Sequence, residues 1–263
     1  MSYFKNKEAL AAKAREHTDY VARKFFKSIR NSITNSYIYN PGSVFAESTE
    51  KMKRAKPEVA FSNTDSVSAI FDESNKKDHG RIAVLNFASY KNPGGRFYDG
   101  SSAQEEALCH ESTLYNILRE LQFYYDWNRK NVNKGMYLNR AIYSKDVLFM
   151  RNENTVECDV LTCACPNKIP CVRYHSFTDE ENSETLKERI HFIRQICEEN
   201  SVDTLILGAF GCGVFMQDPK EVAEVFKTEF AKTSIKKIVY AVSGSNKNTV
   251  VFREMFGNEK EGN

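Results

Sequence analysis

Gln104, Glu105 and Glu106 stand directly behind NPGGRFYDGSSA (92–103), a stretch holding three glycines, a proline and two serines. Two neighbouring carboxylates offer acid–base chemistry if a ligand is brought to them. Glycines supply the means, because a backbone without Cβ atoms can approach a ligand closely. The acids have a plainer explanation as well: carboxylates in the first turn of a helix complement its dipole. That explanation covers Glu105 and Glu106 but leaves the glycines before them unexplained.

A second glycine-rich stretch, GAFGCGVFMQDP (208–219), has the same character. Amides around Gly211, Cys212, Gly213, Val214 and Phe215 can approach a phosphate, and a following helix dipole favours an anion. No Gly-Lys-Ser/Thr follows, so it is not a P-loop, and the third glycine of a dinucleotide fingerprint is missing. A tight strand-to-helix turn explains the glycines equally well. Cys158, Cys163, Cys165 and Cys171 cluster without a paired C-x-x-C spacing. His17, His79, His110, His175 and His191 show no metal spacing, so no metal or cofactor is expected.

The elements that must carry these loops follow from the apolar pattern. Continuous apolar runs at 81–88, 144–151, 158–165, 204–210 and 236–243, with EVAF (58–61), read as strands. Between them lie helices: TDSVSAIFDE (64–73), a single helix over 103–121, one opened by the capping box Thr178–Glu181, and one with Asp218 as N-cap, Pro219 first and Glu221 closing a box. Apolar strands alternating with amphipathic helices give an α/β fold, a mixed and largely parallel sheet covered on both faces. Ligands in such sheets collect where loops leave the carboxyl ends of strands. Both glycine loops leave strands there, so both belong at one edge.

Residues 8–33 read as an amphipathic helical segment, 37–58 as irregular, and 123–140 as an aromatic, polar excursion from the core. The expected organisation is a helical extension (1–57) packed on a main domain (58–263), together one unit. The 263 residues are 41% hydrophobic with net charge +2, which suits a globular core and disfavours a nucleic-acid-coating surface. The basic run 51–58 reads as a solvated connector. No signal-peptide core or membrane span is evident, and seven cysteines fit a reducing, cytoplasmic setting.

NFASYKNPGGRFYDGSSAQEEALCHESTLY (86–115) closely resembles the signature of the bacterial-type poly(ADP-ribose) glycohydrolases, a glycine run followed by Gln-Glu-Glu. VLTCACPN (160–167) and the second glycine loop also look like segments of that family. The resemblance implies a macrodomain-like fold and release of ADP-ribose from poly(ADP-ribose), free or on modified proteins, in the setting of the DNA damage response. It makes Glu106 the catalytic acid and Glu105 the residue that orients ribose hydroxyls. Asn86 and Ser89 would lie beside the cleaved ribose, Gly94 and Gly95 along ribose and diphosphate, and Gln104 would shape the loop. Gly211, Cys212, Gly213 and Val214 would cradle the diphosphate, with Phe215 against the terminal ribose.

Most glycosidases flank the bond with two opposed carboxylates, whereas adjacent helical residues point about 100° apart. One acid/base carboxylate and one positioning carboxylate therefore fit better. The acid role calls for a carboxyl that holds its proton, which burial and the neighbouring Glu105 favour and the helix dipole opposes. The sequence departs from the family at Arg96, where a third glycine is usual. An arginine there bears a backbone cost, and either reaches a phosphate or narrows the pocket. Two other readings stay open: a non-catalytic ADP-ribose-binding module, and a hydrolase of another ADP-ribosylated substrate. The retained Gln104-Glu105-Glu106 argues against the first, and Arg96 argues for it.

Overall fold

The structure, a computed structural model, describes residues 3–45 and 54–257, with N-terminal side chains from residue 6. Residues 51–53 of the basic connector lie outside the described residues. Within these limits seven strands form one sheet in the order β1 (Tyr37–Tyr39), β4 (Ala141–Arg151), β5 (Asn154–Cys163), β3 (Ile82–Phe87), β6 (Thr204–Leu207), β7 (Lys237–Ala241), β2 (Glu58–Ser62). The five strands from β5 to β2 run parallel, and β4 and β1 add antiparallel pairs at one side. This is the expected mixed, largely parallel sheet.

Side-chain alternation divides the core into two layers. Leu85, Leu205, Leu207, Ile238 and Tyr240 point to one face. There they meet α8 (Asp179–Glu199), α9 (Pro219–Glu229) and α10 (Lys247–Phe256) through Ile190, Ile193, Phe226 and Phe252. Ile82, Val84, Ile206 and Val239 point to the other face. That face is covered by α3 (Ser66–Ser74), α4 (Gln104–His110), α5 (Leu114–Leu118), α6 (Gln122–Lys130) and, against β4, α2 (Phe26–Thr34), with α1 (Tyr3–Lys24) outside them. A short helix, α7 (Ile169–Tyr174), precedes α8. Thr178 caps α8 in a reciprocal box with Glu181, as its sequence predicts.

Four expectations are corrected. The helix read over 103–121 is broken, because Ser112 Oγ donates to the Leu108 carbonyl and accepts from the Leu114 amide. The intervening backbone pairs instead with β4, through Thr113 N to Leu148 O and Met150 N to Glu111 O. Residues 37–58 are not wholly irregular: β1 pairs with β4 at the sheet edge. Residues 123–140 do not leave the core, since Tyr124, Tyr125 and Asn128 of α6 are buried. Asp218 caps α9, yet Glu221 does not close the box, because Ser183 Oγ on α8 donates to its carboxylate.

Candidate active site

Strand β3 delivers the first part of the site. Asn86 continues the Ile82–Val84 face toward α4, and its register partner on β5 is Thr162. Fully buried, Asn86 donates from Nδ2 to Glu105 Oε1 (3.2 Å) and to Thr162 Oγ1 (3.3 Å). Gln104 staples the start of α4 to this strand. Its Oε1 accepts from the Phe87 amide (2.9 Å), and its Nε2 donates to the Leu85 carbonyl (2.9 Å) and to Ser66 Oγ (3.1 Å). One side chain thus continues the ladder of β3 and joins α3 to α4.

The loop after β3 folds back onto the two carboxylates. Glu105 Oε2 accepts from the Ser89 amide (2.7 Å), and the Gly94 amide also donates to this carboxyl. Glu106 Oε1 accepts from the Arg96 amide (2.8 Å). Gly95, at φ +62°, sits against both: a Cβ there would lie 2.6 Å from Glu106 Oε1 and 2.8 Å from Glu105 Oε2. Both carboxylates are buried, at 3% and 5% exposure. They differ in what is left over. The oxygens of Glu105 are engaged by Asn86, Ser89 and Gly94, whereas Glu106 Oε2 and Asn86 Oδ1 are buried without a partner among the described residues. Buried polar atoms are normally paired, so these two mark where a ligand's hydrogen-bonding groups belong.

Arg96 does not carry the backbone cost expected of it. Its φ is −113°, an ordinary value for any residue, and its guanidinium points outward to Asp99 at 3.1 Å. It serves Glu106 through its amide, which any non-proline residue supplies. Arg96→Gly is therefore expected to leave kcat/KM within about threefold, and to lower stability by about 0.5–1 kcal/mol through backbone entropy. Parallel kinetics and thermal melts check this. A tenfold change in turnover, in either direction, contradicts it.

Burial pushes the Glu105 carboxyl up to about 8 from 4.5; the Ser89 amide opposes this and the charge of Glu106 adds to it. Its folded-state pKa is thus above the unfolded one. The stability it contributes is fully present below about pH 4.5 and is lost as pH rises through about 8. Glu105→Gln removes that titration. The variant is expected to melt higher than the parent at pH 8 by on the order of 2 kcal/mol, or about 4–8 °C, with no gain at pH 4. Melts from pH 4 to 9 read it; a gain confined to low pH reverses the sign and defeats the assignment.

The second glycine loop leaves β6, the parallel neighbour of β3, so the two loops rise side by side as expected. Gly211 is at φ +76°, and a Cβ there would meet Cys165 Sγ and Gln217 Cγ. Gln217 anchors the loop through a reciprocal amide pair with Asn182 (3.0 and 2.8 Å) and a bond to the Pro166 carbonyl (2.8 Å). The amides of Gly211, Gly213, Val214 and Phe215 have no intramolecular acceptor among the described residues. They are free to face an anion, unlike the amide of Cys212 beside them, which donates to the Ala209 carbonyl (3.1 Å). The end of α9 is not, because the Asp218 carboxylate accepts from the amides of Lys220 and Glu221 (2.8 and 3.4 Å).

Three supports went unnoticed in the sequence. Thr162 is found only through strand register. Helix α1 buttresses the first loop: the Lys7 carbonyl lies where a Gly100 Cβ would be, and the Arg15 guanidinium sits 5.5 Å from the Tyr98 ring. A cavity of about 260 Å³ opens between the loops and the turns after β2 and β7, lined by Ser66, Phe87, Gln104, Ala209, Val242 and Asn246. The clustered Cys158, Cys163, Cys165 and Cys171 are all unpaired and buried.

Comparisons with known proteins agree with this geometry. The chain superposes on poly(ADP-ribose) glycohydrolase from Thermomonospora curvata bound to the inhibitor ADP-HPD with a TM-score of 0.84 and 25% identity, over 95% of this chain and 100% of that one. It also superposes on the enzyme from Deinococcus radiodurans in complex with ADP-ribose, with a TM-score of 0.76 and 27% identity over 86% and 96% of the two chains. No curated protein matches. The model of the microbial-type PARG catalytic domain matches residues 7–152, a span that holds most of α1, the first glycine loop and both glutamates. The chain belongs to the microbial-type poly(ADP-ribose) glycohydrolase (PARG) family.

Proposed function

We propose that this poly(ADP-ribose) glycohydrolase cleaves the ribose–ribose O-glycosidic bond with Glu106 as its acid/base and Glu105 as a positioning carboxyl. The observation that carries the assignment is the uncommitted Glu106 Oε2, buried and, like Asn86 Oδ1, without a protein partner among the described residues. Glu105 is the carboxyl that burial disposes to keep a proton, yet its oxygens are taken by protein donors. Reach to the substrate ranks before pKa, so Glu106 takes the chemical role. It delivers a proton to the leaving ribose oxygen as oxocarbenium-like charge develops at the anomeric carbon, then accepts one from the attacking water. Asn86 Oδ1 accepts from a ribose hydroxyl, and Glu105, held by Asn86 and Ser89, fixes the ribose orientation.

The rest of ADP-ribose is assigned on chemical grounds. The open amides of Gly211, Gly213, Val214 and Phe215 suit the diphosphate. The cavity beyond them has apolar walls, Phe87, Ala209 and Val242, and polar edges, Ser66 and Asn246, which suits the adenosine end. Solved relatives bind ADP-HPD and ADP-ribose, which supports an ADP-ribose ligand for this site. The substrate is poly(ADP-ribose), free or on modified proteins. Seven unpaired cysteines support a reducing, cytoplasmic compartment, and no described helix is long and apolar enough to cross a membrane. A part in the DNA damage response rests on the family alone.

The test is turnover of poly(ADP-ribose) with ADP-ribose release measured directly, alongside ADP-ribose binding by calorimetry. Release that depends on Glu106 supports the reading. Tight ADP-ribose binding without release sinks it and leaves a binding module.

A further inference from the structure

Residues 131–140, which link α6 to β4, belong to neither ligand loop, yet they touch both. The backbone there is unusual. Asn133, Lys134 and Tyr137 have φ of 43°, 55° and 61°, and Gly135 lies at 103°. An aromatic residue at positive φ is a real outlier, and one that is 7% exposed persists only where its surroundings hold it. The surroundings do hold it. Turn bonds close the segment from Gly135 N and Tyr137 N to the Val132 carbonyl (2.8 and 3.3 Å). Asn167 N, after β5, donates to the Gly135 carbonyl (3.0 Å), and the buried Arg189 guanidinium donates to Asn139 Oδ1 (2.6 Å).

The strained conformation brings the Tyr137 ring between the two loops. On one side it stacks on Tyr90, with centroids 4.2 Å apart and planes 14° apart. Tyr90 is itself fully buried, with its hydroxyl donating to the Asn131 carbonyl (3.0 Å) and its carbonyl accepting from Asn128 Nδ2 (2.8 Å). It directly follows Ser89, whose amide holds Glu105 Oε2. On the other side the Tyr137 ring lies 6.0 Å from that of Phe215, in the second glycine loop. A chain of rings, Tyr90–Tyr137–Phe215, therefore runs from the carboxylate loop to the diphosphate loop.

We propose that Tyr137 is a positioning residue: its ring sets the spacing of the two ligand loops and so the placement of Glu105 relative to the diphosphate cradle. A side chain that only filled space would not need this backbone. Many residues fill a gap at ordinary φ, whereas a flat ring contacting two loops at once is specified by the turn of 133–137. Rigid packing of this kind keeps a multi-part site within the tolerance that reaction geometry demands. The proposal rests on the assignment of the two loops to one ligand.

Three chains decide it: the parent, Tyr137→Gly and Tyr137→Phe. Glycine relieves the positive φ and removes the ring; phenylalanine keeps the ring. Amide hydrogen exchange is read in peptides covering 86–92 and 209–218, with and without ADP-ribose, and kcat and KM are measured on poly(ADP-ribose). In Tyr137→Gly, exchange is expected to rise at least tenfold in both peptides and kcat to fall about 30-fold, with KM changed less than threefold. Tyr137→Phe is expected to restore exchange and kcat to within about threefold of the parent. Unchanged exchange in either peptide of Tyr137→Gly overturns the proposal, and so does failure of Tyr137→Phe to restore it. If Tyr137→Gly does not fold, Tyr137→Leu, which keeps bulk without a flat ring, is read in its place. The exchange arm needs no turnover. Absence of hydrolysis by the parent therefore counts against the enzymatic reading, while loop coupling is still decided.

Discussion

Glu106→Gln is expected to lower kcat on poly(ADP-ribose) by about 10²–10⁴-fold, the usual contribution of a positioned proton donor and acceptor. ADP-ribose affinity should stay within about threefold, and the melting temperature within a few degrees. The local contacts explain why so little else changes. The amide oxygen of glutamine still accepts from the Arg96 amide, as Glu106 Oε1 does at 2.8 Å. What is replaced is Oε2, the buried oxygen with no protein partner among the described residues. Glu105→Gln is a weaker lesion, about 10–100-fold, because its oxygens position and do not react. Single-turnover rates on polymer, set beside calorimetric ADP-ribose binding, measure both. If Glu105→Gln were the more damaging of the two, the roles of the two carboxyls would be exchanged. If Glu106→Gln kept more than a tenth of parental kcat, another group would be the acid.

How far the sequence reveals this site depends on which interactions are local. Adjacent parallel strands that each open into a glycine loop are legible as apolar runs followed by glycines, and the two loops do share an edge. The Thr178–Glu181 box is legible for the same reason: it spans four residues. The errors involve distant partners. Ser183 takes the carboxylate of Glu221 from 38 residues away, so an apparent capping box stays open. The helix read over 103–121 breaks because residues 111–113 pair with β4, which no helical periodicity can anticipate.

Arg96 shows the limit most clearly. A glycine in a family motif suggests positive φ, yet the backbone here turns at Gly94 and Gly95 and is relaxed by residue 96. The segment 131–140 hides its role for a related reason. Asn, Lys and Tyr at positive φ leave no compositional trace, and only the fold reveals that Tyr137 meets Tyr90 and Phe215.

Gly95→Ala carries the other large expected effect, and it separates the shape of the loop from the chemistry of the acids. Two penalties coincide at this position. At φ +62° an alanine is strained, a cost of about 1–2 kcal/mol. Its methyl would also lie 2.6 Å from Glu106 Oε1 and 2.8 Å from Glu105 Oε2, closer than real Cβ atoms approach. Neither carboxylate can withdraw freely. Glu105 is tied to Ser89 and Asn86, and Glu106 accepts from the very next amide, that of Arg96. The loop must therefore lift, breaking the Arg96 bond and widening the site at the atom that reacts. Turnover is expected to fall by at least 10³-fold, with ADP-ribose affinity down about tenfold or more and the melting temperature lowered by about 3–8 °C. Gly213→Ala is the matched control. Gly213 has no positive φ and nothing within 4 Å of an added Cβ, so its melting temperature should match the parent's. If Gly95→Ala melted and turned over like the parent, the two glutamates would not be packed against this glycine. The site would then have to be rebuilt around a different loop conformation.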